Sequence, residues 1–384
     1  MKILKILIKI SFLFGICVFS KTGIASQCID LDELPVEITD PGCYILKSDI
    51  SIRDAHTNSI TIKSSNVEID LNGYEIRNLS GPESSSNGIY ANSVQDISIK
   101  NGSINGYFYA IKIDGGSNGI LSKNILIKNI TAKNNYFRGF MVEAENTLIS
   151  GNKIINTGGT KVYPDAFAMA IEVKGNFCSV KDNFIDQVDA TGVGEGIGIS
   201  LSTSRKDCTI NGNTIKSSLL KNATFGIWLS AGISNTVVSN NKISGFIYPF
   251  SIPRKIGEIT TIFRKNEMRL TQCNPLNYSS YFHLLPESNK FFDNHLPCPI
   301  LISEILKQKY DLDSDATANF RLASSMYQCI EEPHLSRTAC CNMKKDSINY
   351  FEKAASLGSY EAKRVLPRVR NRVNKVVAEN PMCN

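Results

Sequence analysis

One short pattern recurs through the middle of this chain and limits what it can fold into. It runs aliphatic residue, any residue, Gly/Asp/Asn, asparagine, any residue, isoleucine, and it occurs at 149–154, 180–185, 210–215 and 238–243. Looser copies lie at 71–76, 99–104, 127–132 and 262–268, so successive starts are 22 to 31 residues apart. Self-similarity at that period marks a repeat architecture in which each unit buries its apolar face only against its neighbours. Alternating β-branched residues such as Ile97 and Ile99, then Ile125 and Ile127, have the period of two expected of strands with one buried face. A second strand recurs between the copies, at 88–91, 110–113, 139–142, 170–173 and 226–229. Short strands with Asn/Gly corners and no helical pattern between them leave no material for crossover helices, but they suffice to wind one coil of a β-solenoid. Eight copies stacked at the normal interstrand spacing of about 4.8 Å predict a rod roughly 40 Å long.

Stacked coils bring equivalent residues above one another. Asn152, Asn183, Asn213 and Asn241 are therefore expected to form a ladder at a corner. There each amide can donate, accept and tolerate left-handed backbone. Because each sits between two inward isoleucines, a structural ladder is expected rather than a ligand contact. Cys178 and Cys208 both fall two residues before the start of their copies and should be stacked inward neighbours. A disulfide and a pair of buried thiols both fit that placement.

The opening residues 38–46 (Ile-Thr-Asp-Pro-Gly-Cys-Tyr-Ile-Leu), then 69–73 (Ile-Asp-Leu-Asn-Gly) and the asparagine-rich coils, resemble the pectate-lyase-like right-handed β-helix superfamily over residues 28–270. The resemblance implies a mainly β fold, a right-handed parallel β-helix of eight coils over 26–272. It also implies a range of roles: binding, cleaving or epimerising polysaccharides, and serving as adhesins or scaffolds. The chain departs from the superfamily's catalytic signatures. It lacks the Asn-Thr-Asp, Asp-Asp and Gly-His-Gly of polygalacturonases, the Trp-Ile-Asp-His of pectate lyases and the Asp-Pro-His-Asp of mannuronan epimerases. No catalytic residue is carried over on that basis.

The ends of the chain differ from its middle. Lys2, Lys5 and Lys9 flank and precede the apolar stretch 10–19, and Gly23-Ile24-Ala25 follows, so residues 1–25 read as an export signal cleaved after Ala25. About ten apolar residues are too few to span roughly 30 Å of hydrocarbon. The mature protein is thus expected to be secreted or periplasmic, without a membrane span. Of eleven cysteines, all but Cys17 then reach a disulfide-permissive compartment. Cys28 with Cys43, and the group Cys329, Cys340 and Cys341, are close enough along the chain to pair locally. The formal charge of +6 falls to +2 without Lys2, Lys5, Lys9 and Lys21, which argues against nucleic acid as a partner.

After a Cys- and Pro-bearing cap and linker at 273–299, helical periodicity begins near Ile300, and 300–384 read as a small all-α domain. Segments 316–327 and 347–358 place apolar and small residues on one face, and Gly358 supplies the turn into 361–366. Phe351-Glu-Lys-Ala-Ala355, Gly358 and Ala362 resemble a Sel-one-like repeat, a relative of the tetratricopeptide repeat. That resemblance implies a protein partner, and packing against the β-helix end is the alternative. Lys363, Arg364, Arg368, Arg370, Arg372 and Lys375 form a basic run read as a solvated helix face.

Outward positions of adjacent coils form columns. Registering the second strand predicts one column of Tyr90, Lys112, Met141, Glu172 and Trp228. Asn92, Asp114, Glu143, Lys174 and Ser230 make the next, and Tyr109, Arg138, Glu195 and Phe225 the one before. Ring faces for C–H stacking, carboxylates for hydroxyls and cations for uronates are what a sugar-binding surface needs, so Tyr90, Tyr109, Lys112, Asp114, Glu143 and Trp228 are the expected substrate-binding residues. Loop length concentrates around 158–165 and 189–195, and sites are often built on such loops. Asp165, Glu172 and Glu195 could supply paired carboxylates for glycoside hydrolysis, or Arg138 and Lys112 could serve a β-elimination by neutralising a uronate and abstracting its proton. The runner-up is a noncatalytic scaffold or adhesin-like protein whose rod and helices hold a protein partner. No spaced ligand motif specifies a metal, and a Ca²⁺ held by outer-column acids is the one cofactor this chemistry admits.

Overall fold

The structure, a computed structural model, describes residues 28–116, 122–192, 194–217, 223–246, 248–251, 261–269, 290–292, 319, 323 and 337–379. The expected export signal and Cys329 lie outside the described residues. The fold is mainly β: a solenoid of short parallel strands, with two helices near the end of the chain. Each complete coil supplies three strands to three parallel columns. The first two columns merge into one sheet because Gln95–Asn105 and Ser122–Lys133 run unbroken through their common corner. The third column forms a sheet of its own, with nine strands among the described residues from Val36–Ile38 to Tyr248–Ser251. That is one more than the eight repeats counted in the sequence, because the coil begun by Val36–Ile38 precedes the first recognisable copy at 71–76.

The period-two pattern explains the core. In the first column Ile69, Ile99, Ile127, Ile149, Val180, Ile210, Val238 and Phe263 are successive partners, and all are buried. Ile76, Ile104, Ala132, Ile154, Ile185, Ile215 and Ile243 do the same in the second. In the third, Ile89, Ile111, Phe140, Ile171, Ile199, Ile227 and Phe250 are stacked. Burying each such aliphatic side chain contributes about 1.5–3 kcal/mol before chain entropy is counted, so the interior is what holds the coils together. Near the start of the third-column strands, close approach of the next coil's backbone requires residues without a side chain. A Cβ on Gly139 would meet the Ala170 carbonyl oxygen at 2.4 Å, and one on Gly198 would meet that of Gly226 at the same distance.

At the corner between the first two columns the expected ladder is present, and it is one rung longer than the strict pattern suggests. Asn152, Asn183, Asn213, Asn241 and Asn266 are buried in file. Asn183 Nδ2 donates to the Ile149 carbonyl (3.0 Å) and to Asn213 Oδ1 (3.0 Å), while Asn183 Oδ1 accepts from Asn152 N (3.0 Å) and Nδ2 (2.9 Å). The left-handed backbone lies one residue earlier than expected. Gly151, Asp182, Gly212, Asn240 and Lys265 have positive φ, and the ladder asparagines do not. Turning the chain thus falls to the preceding residue, which frees the asparagine side chain to point inward and replace missing backbone hydrogen bonds.

The expected local pairing of Cys28 with Cys43 is present. Cys28–Cys43 is a disulfide, and Cys178–Cys208 is a second, buried between two coils, which settles bridge against thiol there. On the outer face of the second column, Glu75 receives Lys133 (2.6 Å), Asn105 (3.2 Å) and Arg77, tying three coils together. Burial pulls the Glu75 carboxyl up, but the bonds from Lys133, Asn105 and Arg77 outweigh it and hold it below its ordinary value. A depressed carboxyl contributes stability that is present above the ordinary range near about 4.3 and lost as pH falls through the depressed value. Glu75→Gln should therefore melt lower than wild type at pH 7 and show a flatter Tm between pH 5 and pH 3, measured by circular dichroism. Equal slopes in the two proteins would refute this.

The helices Arg337–Ser356 (α1) and Tyr360–Glu379 (α2) pack through Phe351, Ala354, Ala362, Val369 and Val373. Gly358, at φ +101°, makes the turn between them as expected. Both helices are longer than the periodicity indicated, and α2 continues through Pro367. No helix among the described residues is long and apolar enough to cross a membrane.

Candidate functional site

The outer face of the third sheet carries the expected columns. Tyr90, Lys112, Met141, Glu172, Ser200 and Trp228 are successive partners, and Asn87, Tyr109, Arg138, Met169, Ile197 and Phe225 are partners in the column before. The second list corrects one expectation. Glu195 is not in that column, because the register places Ile197 there. Glu195 lies just ahead of the strand Gly196–Leu201, where its carbonyl accepts from Ala168 N (3.0 Å). An irregularity between Gly196 and Ile197 shifts the register at that point.

Three groups of side chains form on this face. In the first, Lys112 Nζ is 2.8 Å from Asp114 and lies over the Tyr90 and Tyr109 rings, at 5.4 and 5.7 Å from their centroids. Burial, then the Asp114 carboxylate, pushes the Tyr90 phenol up. Glu143 leans on the Gly115 backbone beside Asp114.

The second group is centred on Glu172, only 6% exposed although strand alternation points it outward. Arg138 Nε approaches Glu172 Oε2 to 2.7 Å, and Lys174 Nζ approaches Oε1 to 3.7 Å. The Arg138 N–H is not directed at the carboxylate, so charge holds the pair, and both buried atoms lack an aligned hydrogen bond. Arg138 Nη1 also donates to Tyr109 Oη (3.4 Å), and its guanidinium lies 4.0 Å over the Phe137 ring. Burial is the main reason the Tyr109 phenol is pushed up, and Glu172 and Asp114 add to it against the opposing pull of Arg138. Tyr109 therefore stays protonated well beyond neutral pH, with its oxygen accepting from Arg138.

The third group is aromatic. Trp228 meets Phe225 edge to face (4.9 Å) and Phe167 tilted over it (5.4 Å). Phe167 comes from the long loop at 158–167. Tyr163, also in that loop and 55% exposed, stands 5.8 Å from both Phe108 and Phe137, which stack on each other at 4.6 Å. The loop reaches across two short turns, where Lys161 N donates to the Pro82 carbonyl (2.9 Å) and Lys161 Nζ lies 3.3 Å from Glu83.

Asp165 belongs to this loop, and its Oδ1 lies against Gly192, where a side chain would collide with it. The structure thus brings Tyr90, Tyr109, Lys112, Asp114, Arg138 and Glu172 together, with Trp228 further along the same face. It does not join Asp165 or Glu195 to them in the column. The pattern-based reading missed Phe167 and Tyr163, which flank Asp165, and the pair Phe108 and Phe137. The repeated Tyr-Phe at 107–108 and 136–137 was the available signal. Among the described residues no three His, Cys, Asp or Glu side chains gather in a way that could hold a metal ion.

The family model for the right handed beta helix region matches residues 42–243, more than half of the chain. The chain belongs to this family. The match begins at the strand Gly42–Leu46, so the β-helix family and the stacked coils describe the same stretch. No curated protein sequence matches this β-helix. Solved structures similar to it include two mutants of the tailspike protein of E. coli bacteriophage HK620, each in complex with a pentasaccharide. One is 10% identical with a TM-score of 0.36, covering 66% of this chain and 61% of its own. The other is 9% identical with a TM-score of 0.38, covering 70% of this chain and 55% of its own. This β-helix therefore spans under two thirds of those tailspike chains.

Proposed function

We propose that the outer face of the third sheet is a polysaccharide-binding surface of an exported protein. The observation that carries the reading is the Tyr109–Arg138–Glu172–Lys174 cluster set between the Tyr90/Lys112 group and the Trp228 platform. Sugars present hydroxyls on a ring with one apolar face. Such a ligand is met by aromatic faces together with charged groups that donate and accept in a partly dry site.

Binding fits the site better than turnover. A hydrolytic carboxylate must be free to take or give a proton opposite a second one, whereas Glu172 is engaged by two cations. A tyrosine base would need a lowered pKa, and that of Tyr109 is raised. The two disulfides suit an oxidising compartment and support export. The pectate-lyase-like likeness of the coils and the Sel-one-like likeness of α1 and α2 accord with a glycan-binding rod carrying a protein-binding end.

The test is a panel of neutral and acidic polysaccharides titrated against residues 26–384, with new reducing ends and unsaturated-uronate absorbance followed in parallel. Trp228→Ala should weaken binding at least about fivefold, since stacking partners of this kind are worth roughly 1–3 kcal/mol. Unchanged affinity in Trp228→Ala would remove the reading, and product formation would convert it into a lyase or hydrolase.

A further inference from the structure

The Trp228 platform is already occupied. Phe167, the last residue before the strand Ala168–Val173, reaches past the next coil to place its ring 5.4 Å from that of Trp228, two coils along. In the intervening strand, Ile197 and Ser200, the partners of Phe225 and Trp228, are 0% and 4% exposed. A pyranose sandwiched between two rings would hold them roughly 7–8 Å apart, twice the 3.5–4.0 Å contact distance between carbon atoms. The observed separation leaves no room for one. The rest of the loop is tied down. Gly158 N donates to Asn135 O (2.8 Å), Thr160 N to Tyr136 O (2.9 Å) and Thr191 Oγ1 to Pro164 O (2.6 Å). Beyond the loop, Ala168 N donates to Glu195 O (3.0 Å). Phe167 itself is 37% exposed.

We infer that Phe167 is a self-stacking gate: its ring occupies the sugar-stacking position on Trp228, and a saccharide seats there only after the Phe167 side chain rotates away. The inference rests on the reading that this face binds a glycan. With both flanks of the loop pinned, a rotation of one side chain opens the platform, with no movement of the loop backbone. A ligand that must displace an internal competitor binds with its affinity reduced by the fraction of open state. Removing the competitor should therefore tighten binding, which is the reverse of what deleting an ordinary contact residue does.

Trp228 is the only tryptophan in the chain, so tryptophan emission, excited selectively over tyrosine, reports on this platform alone. Wild type, Phe167→Ala and Phe167→Leu would be compared for quenching by acrylamide. They would then be titrated with maltohexaose, cellohexaose, chitohexaose and a galacturonate hexamer. Equal melting temperatures would establish that the variants are folded. The expected result is stronger acrylamide quenching in Phe167→Ala, and binding of at least one hexasaccharide roughly 2- to 10-fold tighter than wild type, as loss of an aromatic pair implies. Phe167→Leu should fall between them. A hexasaccharide that binds Phe167→Ala no more tightly than wild type would overturn the gate while leaving the glycan surface standing. Absence of binding to all four, by every variant, would overturn both.

Discussion

Asn183→Ala should unfold the solenoid at a temperature far below wild type, with a loss of about 3–5 kcal/mol. Asn183 is buried, and its side chain makes four hydrogen bonds, to Ile149, Asn213 and twice to Asn152. Alanine removes all four and leaves the Asn152 N–H and the Ile149 carbonyl without those partners in a site that water does not reach. Each buried group left unsatisfied costs roughly 1–3 kcal/mol, so two or more account for the estimate. Against a total domain stability of about 5–15 kcal/mol the effect is large. Because each coil is held only by its neighbours, the damage should appear as a separate early transition of the coils on either side. The control is Asn134→Gly. Asn134 is exposed, makes single amide bonds to Asn105 and Asn156, and has a positive φ of 53° that glycine adopts freely. Its loss should stay near or below about 1 kcal/mol. Urea and thermal melts followed by circular dichroism decide the matter. An Asn183→Ala curve that overlays Asn134→Gly would mean the interior ladder is an ornament of the fold.

The ladder also illustrates what a reader of the sequence can and cannot extract. Strand alternation and the Asn-bearing corner repeat at nearly constant spacing, and stacking makes spacing equivalent to contact, so the columns through Tyr90, Lys112, Met141 and Glu172 follow directly from alignment. Glu195 was misplaced for a physical reason. The loops before the strands Ala168–Val173 and Gly196–Leu201 are long, and the register shifts at Gly196/Ile197, so counting back from the alternation does not find the strand start. The left-handed position was off by one because Gly, Asp and Asn tolerate positive φ as well as the ladder asparagine does. Only the inward hydrogen bonds distinguish the two. Phe167 over Trp228 was not legible at all, since a loop's path across a rod depends on anchors such as Lys161 with Pro82, which obey no periodicity. The helices were underestimated because Thr338, Asn342 and Pro367 weaken the local signal, whereas packing of Val369 and Val373 against α1 extends the pair.

Glu172→Ala should prove more harmful to stability than replacing both Glu172 and Arg138. The Arg138 guanidinium side chain is 13% exposed, and with Glu172 gone it would remain buried with no carboxylate at 2.7 Å. Stripping one partner from a buried pair costs about 3–5 kcal/mol, whereas a hydrophobic pair of similar volume is often neutral or stabilising. Arg138→Met/Glu172→Met should therefore melt within a few degrees of wild type. Met141 and Met169 already pack as outward neighbours in the same two columns, so the surroundings accept thioether side chains. The two variants separate stability from function. The double variant keeps the fold but removes the donors and acceptors at the centre of the face, so glycan affinity should fall at least about tenfold while the melting temperature holds. If the double variant also unfolds like Glu172→Ala, the pair is a fold-specifying element of the coils. If it binds glycan as wild type does, the charged cluster is a neighbour of the binding surface and Trp228 carries recognition by itself.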